Sequence, residues 1–362
     1  MNEVGMNLED INESIDVLES MRSVGELSDE SVLAMGYTQR GLLYFQFNKF
    51  DDSIKDHSKS IEIMERLLGE DKSPNVNELA KAYAGRGMAY HVVGEYEKAL
   101  TDITKSIDIW EHLQKFGQFV DENMLCNVYK LRGGFLNYMN KNMDDAISDY
   151  RKSINIAERL KKAGKPFDED GLATAYMGVA QSYDQKENFA EANKYYDKCI
   201  DIWERFISER QPLSDEDGLA TAYMNRGCNY YVMEENAKAL SDHNKCIAIR
   251  ERLKNQGVQQ DVYYVSLSYR NRALSYETAN NITAAIKDYI SAISALKEEF
   301  SKRPELQELY YDRLAELIDL VVEEKNDVLY NNVIQKFLYS MRSVPKTKDA
   351  EKAQNNIFEK LS

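Results

Sequence analysis

Small and apolar residues recur along most of the chain at steps of three and four, the spacing of one helix face. The stretch VNELAKAYAGRGMAYHVV, followed by GEYEKALTDITKSIDIWEHLQKFG, shows the pattern plainly. Ala80, Tyr83, Gly87 and Tyr90 predict a first helix; Tyr96, Ala99, Leu100, Ile103 and Ile107 predict a second; Gly94 breaks the chain between them. Strand-like alternation does not occur, so the pattern predicts an all-α fold. Near the N-terminus Leu8, Ile11, Ile15 and Leu18 make one helical stripe, with Asn7 as its cap and acids in the first turn.

The helical pattern is itself periodic. DEDGLATAYM occurs twice, at Asp168–Met177 and at Asp215–Met224. Aligned on the tyrosine of that segment, the chain gives Tyr37, Tyr83, Tyr129, Tyr176, Tyr223 and Tyr269, spaced by 46, 46, 47, 47 and 46 residues. Six units of near-constant period predict a stacked array, each unit a pair of helices. One extra residue falls in a turn before Ala146, and the other in a segment that joins two units. The period sets the expected boundaries: an acidic capping helix in 1–29, six repeats in 30–303, two capping helices in 304–344 and a polar tail in 345–362. Repeat arrays need such ends to cover exposed apolar faces. A homodimer through the C-terminal helices is the alternative use of the same surface.

Charged columns within the array have a structural reading. Three residues after the tyrosine stand Arg40, Arg86, Arg132, Arg226 and Arg272, and on the second helix stand Asp56, Asp102, Asp149, Asp242 and Asp288. The fourth unit has Val179 and Tyr195 instead, so the two columns are kept or lost together. In the first unit Arg40 and Asp56 lie about eight residues either side of the turn, which in an antiparallel hairpin places them at the same height, roughly 12 Å from it at 1.5 Å per residue. Five internal Arg–Asp bridges are expected. A catalytic acid in five equivalent copies would be unusual, and fold integrity is the better account.

Composition narrows the rest. The 362 residues carry a net charge of −15, and residues 1–29 alone hold eight acids against Arg22. An acidic chain without a basic patch neutralises phosphate poorly, so nucleic acid is not an expected partner. No apolar run approaches the ~20 residues that cross a bilayer, and the acidic N-terminus lacks the order of a signal peptide, so the chain reads as cytoplasmic and away from membranes. Cys199 and Cys246 share a column with Ser60, Ser106, Ser153 and Ala292, which selects small residues for close packing; Cys126 and Cys228 complete the thiols. His57, His91, His112 and His243 show no metal-ligand spacing, and no phosphate-binding, dinucleotide or nucleophile-elbow motif occurs, so no metal, cofactor or catalytic residue is expected. Trp110 and Trp203 share a column with Met64, Ala157, Arg250 and Leu296, read as packing between repeats.

The order Tyr83, Gly87, Tyr90, then Gly94, Tyr96 and Ala99, resembles the tetratricopeptide repeat family over residues 30–303. The unit is longer than the ~34 residues usual there, as in the repeats of the kinesin-light-chain kind. The resemblance implies a right-handed superhelical solenoid whose concave groove is lined by the first helices. Positions one, five and eight after each tyrosine share a face, and these become the candidate groove residues: Thr38, Ala84, Lys130, Met177, Met224 and Arg270; Leu42, Met88, Gly134, Gln181, Cys228 and Leu274; Phe45, His91, Asn137, Asp184, Tyr231 and Glu277. They vary between units far more than the packing columns do, and the methionines suit an apolar peptide or helix. The carboxylate clamp of co-chaperone repeats is disfavoured: Asn225–Gly227 and Asn271–Ala273 resemble part of its signature, but the basic cluster is missing. The expected function is a non-enzymatic scaffold that binds a peptide or helix of another protein. The alternative is a regulator that senses a short signalling peptide, a reading weakened by the shortness of residues 1–29.

Overall fold

The structure, a computed structural model, describes residues 8–70, 72, 75–209, 216–299 and 303–323. Among the described residues every regular element is an α-helix. The order begins α1 (Leu8–Ser23), α2 (Ser31–Gln46), α3 (Phe50–Gly69), α4 (Val76–Val92) and α5 (Tyr96–Lys115). It continues α6 (Glu122–Tyr138), α7 (Met143–Lys162), α8 (Glu169–Gln185), α9 (Phe189–Ser208) and α10 (Glu216–Val232). It ends α11 (Asn236–Asn255), α12 (Val262–Thr278), α13 (Ile282–Glu299) and α14 (Leu306–Glu323).

Two kinds of stop cut the chain into these helices. Eleven residues after each tyrosine, Asn48, Gly94, Asn140, Glu187, Glu234 and Asn280 take positive φ and end the first helices. Gly25, Gly117, Gly164 and Gly257 do the same after α1 and three of the second helices. The turn after α6 holds both Asn140 and Asn142 at positive φ, and α7 begins one residue late by comparison with α5, which locates the extra residue before Ala146. Helix starts are capped: Asn75, Asp121, Asp168 and Asp261 each accept a bond from an amide of the first turn. The first copy of the repeated decapeptide thus opens with the N-cap of α8. Asp215 of the second copy lies outside the described residues.

The chain packs as two compact units, Met1–Lys186 and Glu187–Ser362. In the first, α2 pairs with α3, α4 with α5 and α6 with α7 as hairpins, and α8 packs on α7. In the second, α10 pairs with α11 and α12 with α13, α9 packs on α10, and α14 on α13. The expected six-repeat segment therefore divides between α8 and α9. Helix α1 packs on the first hairpin: Ile11 and Ile15 join the core of Leu33, Tyr37, Met64 and Tyr83. Helix α14 packs on the hairpin of α12 and α13, with Tyr310, Leu314 and Leu317 among Tyr289, Ile293 and Leu296. Residues 324–344, which complete the expected C-terminal cap and dimer surface, and the tail 345–362 lie outside the described residues.

Some helices meet closely enough to require glycine. The ring of His57 on α3 lies between α2 and α4, where a Cβ at Gly41 would stand 2.9 Å from it and one at Gly85 2.4 Å. The ring of Tyr150 takes the same place between α6 and α8, 2.2 Å from where a Cβ at Gly178 would be.

Candidate functional site

The charged columns build the scaffold of the site. All five predicted pairs are bidentate, with Nε and a terminal nitrogen of the guanidinium donating to both carboxylate oxygens: Arg40–Asp56, Arg86–Asp102, Arg132–Asp149, Arg226–Asp242 and Arg272–Asp288, at 2.6–3.0 Å. The carboxylates are buried and the guanidinium groups nearly so. In four of the five, the remaining terminal nitrogen reaches the preceding helix, at Asn12, Ser58, Asp197 and Asn244. One arginine thus joins three helices. The fourth unit has the buried Val179 instead; there Arg151 on α7 lies over the Tyr183 ring and donates to its Oη at 2.7 Å.

A second column was missed by the sequence reading. The hydroxyl of each aligned tyrosine donates to a glutamate on the preceding helix: Glu19, Glu65, Glu111, Glu158, Glu204 and Glu251. From the following helix Lys59, Lys105, Lys152 and Lys245 reach the tyrosine ring or the glutamate. Burial, then the bond to Glu111, raises the Tyr129 phenol well above its ordinary value. Burial opposes ionisation of Glu111, but bonds from Lys152 and Tyr129 hold it below the usual carboxylate range. The signal was available, since these glutamates share the period of the tyrosines.

Cavities recur over this column. One of 610 Å³ is lined by Glu111, Leu125, Tyr129, Lys152, Ile156 and Arg159, among others. One of 380 Å³ in the second unit is lined by the equivalent Glu204, Leu219, Tyr223, Lys245, Ile249 and Arg252. Each lies between consecutive second helices, away from the predicted groove face.

The predicted groove residues divide between the units. Thr38, Leu42, Phe45, Met88, His91, Lys130, Asn137, Met177, Gln181 and Asp184 belong to the first; Met224, Cys228, Tyr231, Arg270, Leu274 and Glu277 belong to the second. The first column corrects the expectation in part. Thr38 is 1% exposed and Met224 3%, so neither offers surface to a ligand. Thr38 faces α3, and Met224 lies where α10 meets α12. Thr38 Oγ1 lies 2.8 Å from Ser60 Oγ, and Met224 Sδ accepts from Ser268. Lys130 lies 3.6 Å from Asp168, and Arg270 bonds Glu316 at 2.8 Å.

Leu42, Met88, Met177, Gln181 and Leu274 are half-buried, with an open side. Cys228 accepts from Asn271 and lies 3.9 Å from His243. The third column packs on its neighbours. His91 stacks on Phe135 at 4.4 Å, and burial lowers its pKa. Phe45 meets Phe50 edge-on, Asn137 donates to the Gly178 carbonyl and accepts from Ser182, and Glu277 accepts from Tyr289. Asp184 and Tyr231 are half-buried.

The most open positions are one residue further on, at Gln46, Val92, Tyr138, Gln185, Val232 and Thr278, all exposed. Val92 is 49% exposed and Tyr138 65%. Tyr138, His91, Tyr96 and Phe135 form one aromatic group, with Tyr96 Oη 3.1 Å from Tyr138 Oη. Met35, Lys81, Asn127, Thr174, Thr221 and Leu267, two residues before each tyrosine, continue the half-exposed face.

Among the described residues no group of three or more His, Cys, Asp and Glu is placed to hold a metal ion, and no helix is long and apolar enough to cross a membrane. The four cysteines are free thiols; burial raises the pKa of Cys126, Cys199 and Cys246.

A tetratricopeptide repeat family model matches residues 172–210. A comparison with curated proteins finds no match. Solved structures of similar fold include BtubC (BKLC) from P. vanneervenii, 22% identical, covering 68% of this chain and 90% of that one, with a TM-score of 0.51. The apo form of RapI is 14% identical, covering 97% of this chain and 82% of its own, with a TM-score of 0.56. The apo form of the quorum sensor NprR from B. thuringiensis is 15% identical, covering 98% and 97%, with a TM-score of 0.53. The chain thus carries a tetratricopeptide repeat at residues 172–210, within an all-helical fold of the tetratricopeptide-repeat kind.

Proposed function

We propose that the chain is a non-enzymatic interaction scaffold that holds a peptide or helix of a partner protein on the half-exposed face of its first helices. A tetratricopeptide-repeat fold suggests protein–protein interaction. The observation that carries the finer reading is the contrast between columns: the Tyr–Glu bond recurs in six units and the Arg–Asp pair in five, while the open face mixes Gln46, Val92, Tyr138, Gln185, Val232 and Thr278 and exposes Val92 and Tyr138 beside Met88 and His91. A preformed surface of this kind binds with little ordering cost. Four free thiols suit a reducing compartment and support a cytoplasmic location.

The test compares capture from native lysate by the intact chain and by a Met88→Glu/Met177→Glu/Tyr231→Glu variant shown folded by circular dichroism. A partner bound by the first and lost by the second supports the reading; retention by both refutes it.

A second reading, a peptide-sensing regulator, is favoured by likeness to the quorum sensor NprR across nearly the whole of both chains. It requires a ligand-dependent change in compactness. Identical small-angle scattering with and without a captured peptide would remove it.

A further inference from the structure

The loop from α5 to α6 exposes two phenyl rings. Phe116 is 64% exposed and Phe119 82%. The equivalent positions are Glu70, Ala163, Glu209 and Gln256 for the first, and Ser73, Pro166, Leu213 and Gln259 for the second, so the pair belongs to this loop alone. Single exposed apolar residues are ordinary, but adjoining ones make a patch.

The loop is tied down. Gly117 at φ 66° closes the end of α5, with amides of Gly117 and Gln118 bonded to the carbonyls of Gln114 and Leu113. Val120 is buried in the core beside Leu125 and Leu160. Asn77 Nδ2 donates to the Phe119 carbonyl at 3.2 Å. The rings are therefore held in solvent by an ordered backbone, although burying each would contribute ~1.5–3 kcal/mol.

Two cavities flank the loop. One of 450 Å³ is lined by Phe119, Val120, Glu122, Leu160, Lys165 and Pro166, among others. The other is the 610 Å³ cleft, to which the loop side contributes Gln114 and Lys115. Glu122 lines one and Arg159 the other, and their ion pair at 2.9 Å joins the two rims.

Of the acids at the loop, Glu122 is paired with Arg159 and Asp121 caps α6, so the unpaired charge here is cationic. Lys115, Lys162 and Lys165 are exposed and take part in no ion pair among the described residues, in a chain of net charge −15. A local cationic rim attracts and orients an anionic partner.

We propose that residues 114–123 and the end of α7 form a second docking surface, whose occupant is an acidic amphipathic segment of a partner protein. Its apolar side chains cover Phe116 and Phe119 and enter the two cavities; its carboxylates meet Lys115, Lys162 and Lys165. The recessed cavities suit side chains better than a lipid surface, and the overall negative charge repels an anionic leaflet. This surface is independent of the first-helix face.

The test is fluorescence anisotropy with a synthetic helical peptide carrying Leu on one face and Glu and Asp on the other. The intact chain binds it, in a salt-dependent manner. Phe116→Ser/Phe119→Ser and Lys115→Glu/Lys165→Glu, all surface changes, each weaken binding about tenfold or more. The Met88→Glu/Met177→Glu/Tyr231→Glu variant binds as the intact chain does, which separates this surface from the first-helix reading. Absence of binding, binding by either loop variant equal to that of the intact chain, or preference for the same peptide with Lys in place of its acids overturns the proposal. So does uptake onto phosphatidylserine vesicles without peptide binding, which would assign the rings to a membrane.

Discussion

His57 makes the hairpins around it sensitive to mild acid. The side chain is fully buried between α2 and α4, and neither ring nitrogen has a hydrogen-bond partner. Burial, with a smaller contribution from the Arg86 charge, lowers its pKa from 6.5 to about 3. A depressed histidine pKa costs stability as pH falls. Above 6.5 the ring is neutral in both states; below it the unfolded chain takes up a proton that the folded chain refuses until about pH 3. With 1.36 kcal/mol per pH unit, the loss between pH 7 and pH 5 is about 2 kcal/mol. His91 on α4, whose pKa burial also lowers, acts in the same direction, so the test compares the protein with a variant that lacks only His57.

His57→Phe removes the titration and keeps a planar ring between Gly41 and Gly85. Because repeat arrays open locally, the measurement is hydrogen exchange of peptides from α2 to α4, corrected for intrinsic rates, at pH 7 and pH 5. The intact protein should lose about 2 kcal/mol more opening free energy than the variant over this interval. Peptides from α10 to α13 should not differ between the two; His243, whose pKa burial lowers to about 4, acts there in both proteins. Equal losses in α2 to α4 would mean that the folded protein admits a proton or water at His57, and the argument would fail.

Two further outcomes follow from packing. Arg86→Met or Asp102→Leu alone should cost ~3–5 kcal/mol by stranding a buried charge, and the double substitution should recover part of it; additive losses by hydrogen exchange in α4 and α5 would refute the pairing. Gly178→Ala should cost ~1–3 kcal/mol, because its Cβ would stand 2.2 Å from the Tyr150 ring, and far less in a Tyr150→Leu background. The same cost in both backgrounds, read by thermal denaturation, would exclude that contact as the cause.

What the sequence made legible depended on distance along the chain. The Arg–Asp bridges span 16 or 17 residues inside one hairpin, so two columns counted from one turn sufficed. The Tyr–Glu bonds join a hairpin to the helix before it, and counting within a unit does not reach them. Exposure differs within one helical step: His91 and Asn137 pack on the next helix, while Val92 and Tyr138 are exposed. A step of about 100° between neighbours leaves that choice open until the adjacent helix is in place. Thr38 and Met224 are buried for a related reason, since the α3 contact at Ser60 and the α12 contact at Ser268 have no marker on the first helix itself. Arg250 shows the limit of a column as a guide: in the place of Trp110 and Trp203 it is fully buried, bonded to Asp217, Thr221 and Ser268.

Departures from the period separate into two kinds, and the difference bears on function. Some are compensated inside the chain. The place of the missing guanidinium is filled by the buried Val179, the indole missing at Arg250 is replaced by a polar network, and His57 fills the place of Ile103 and Tyr150 against paired glycines. These repair packing and need no partner to explain them. Phe116 and Phe119 break their columns in the opposite sense: they add apolar surface where the other units have mostly polar or small residues, on a loop whose bonds keep it out of the core. At the ends of α4, α6 and α10, Val92, Tyr138 and Val232 expose apolar surface where the other units have Gln46, Gln185 and Thr278. Their exposed area contributes little to folding, and on the two readings proposed above it is what a partner would cover, on two surfaces that substitutions can separate.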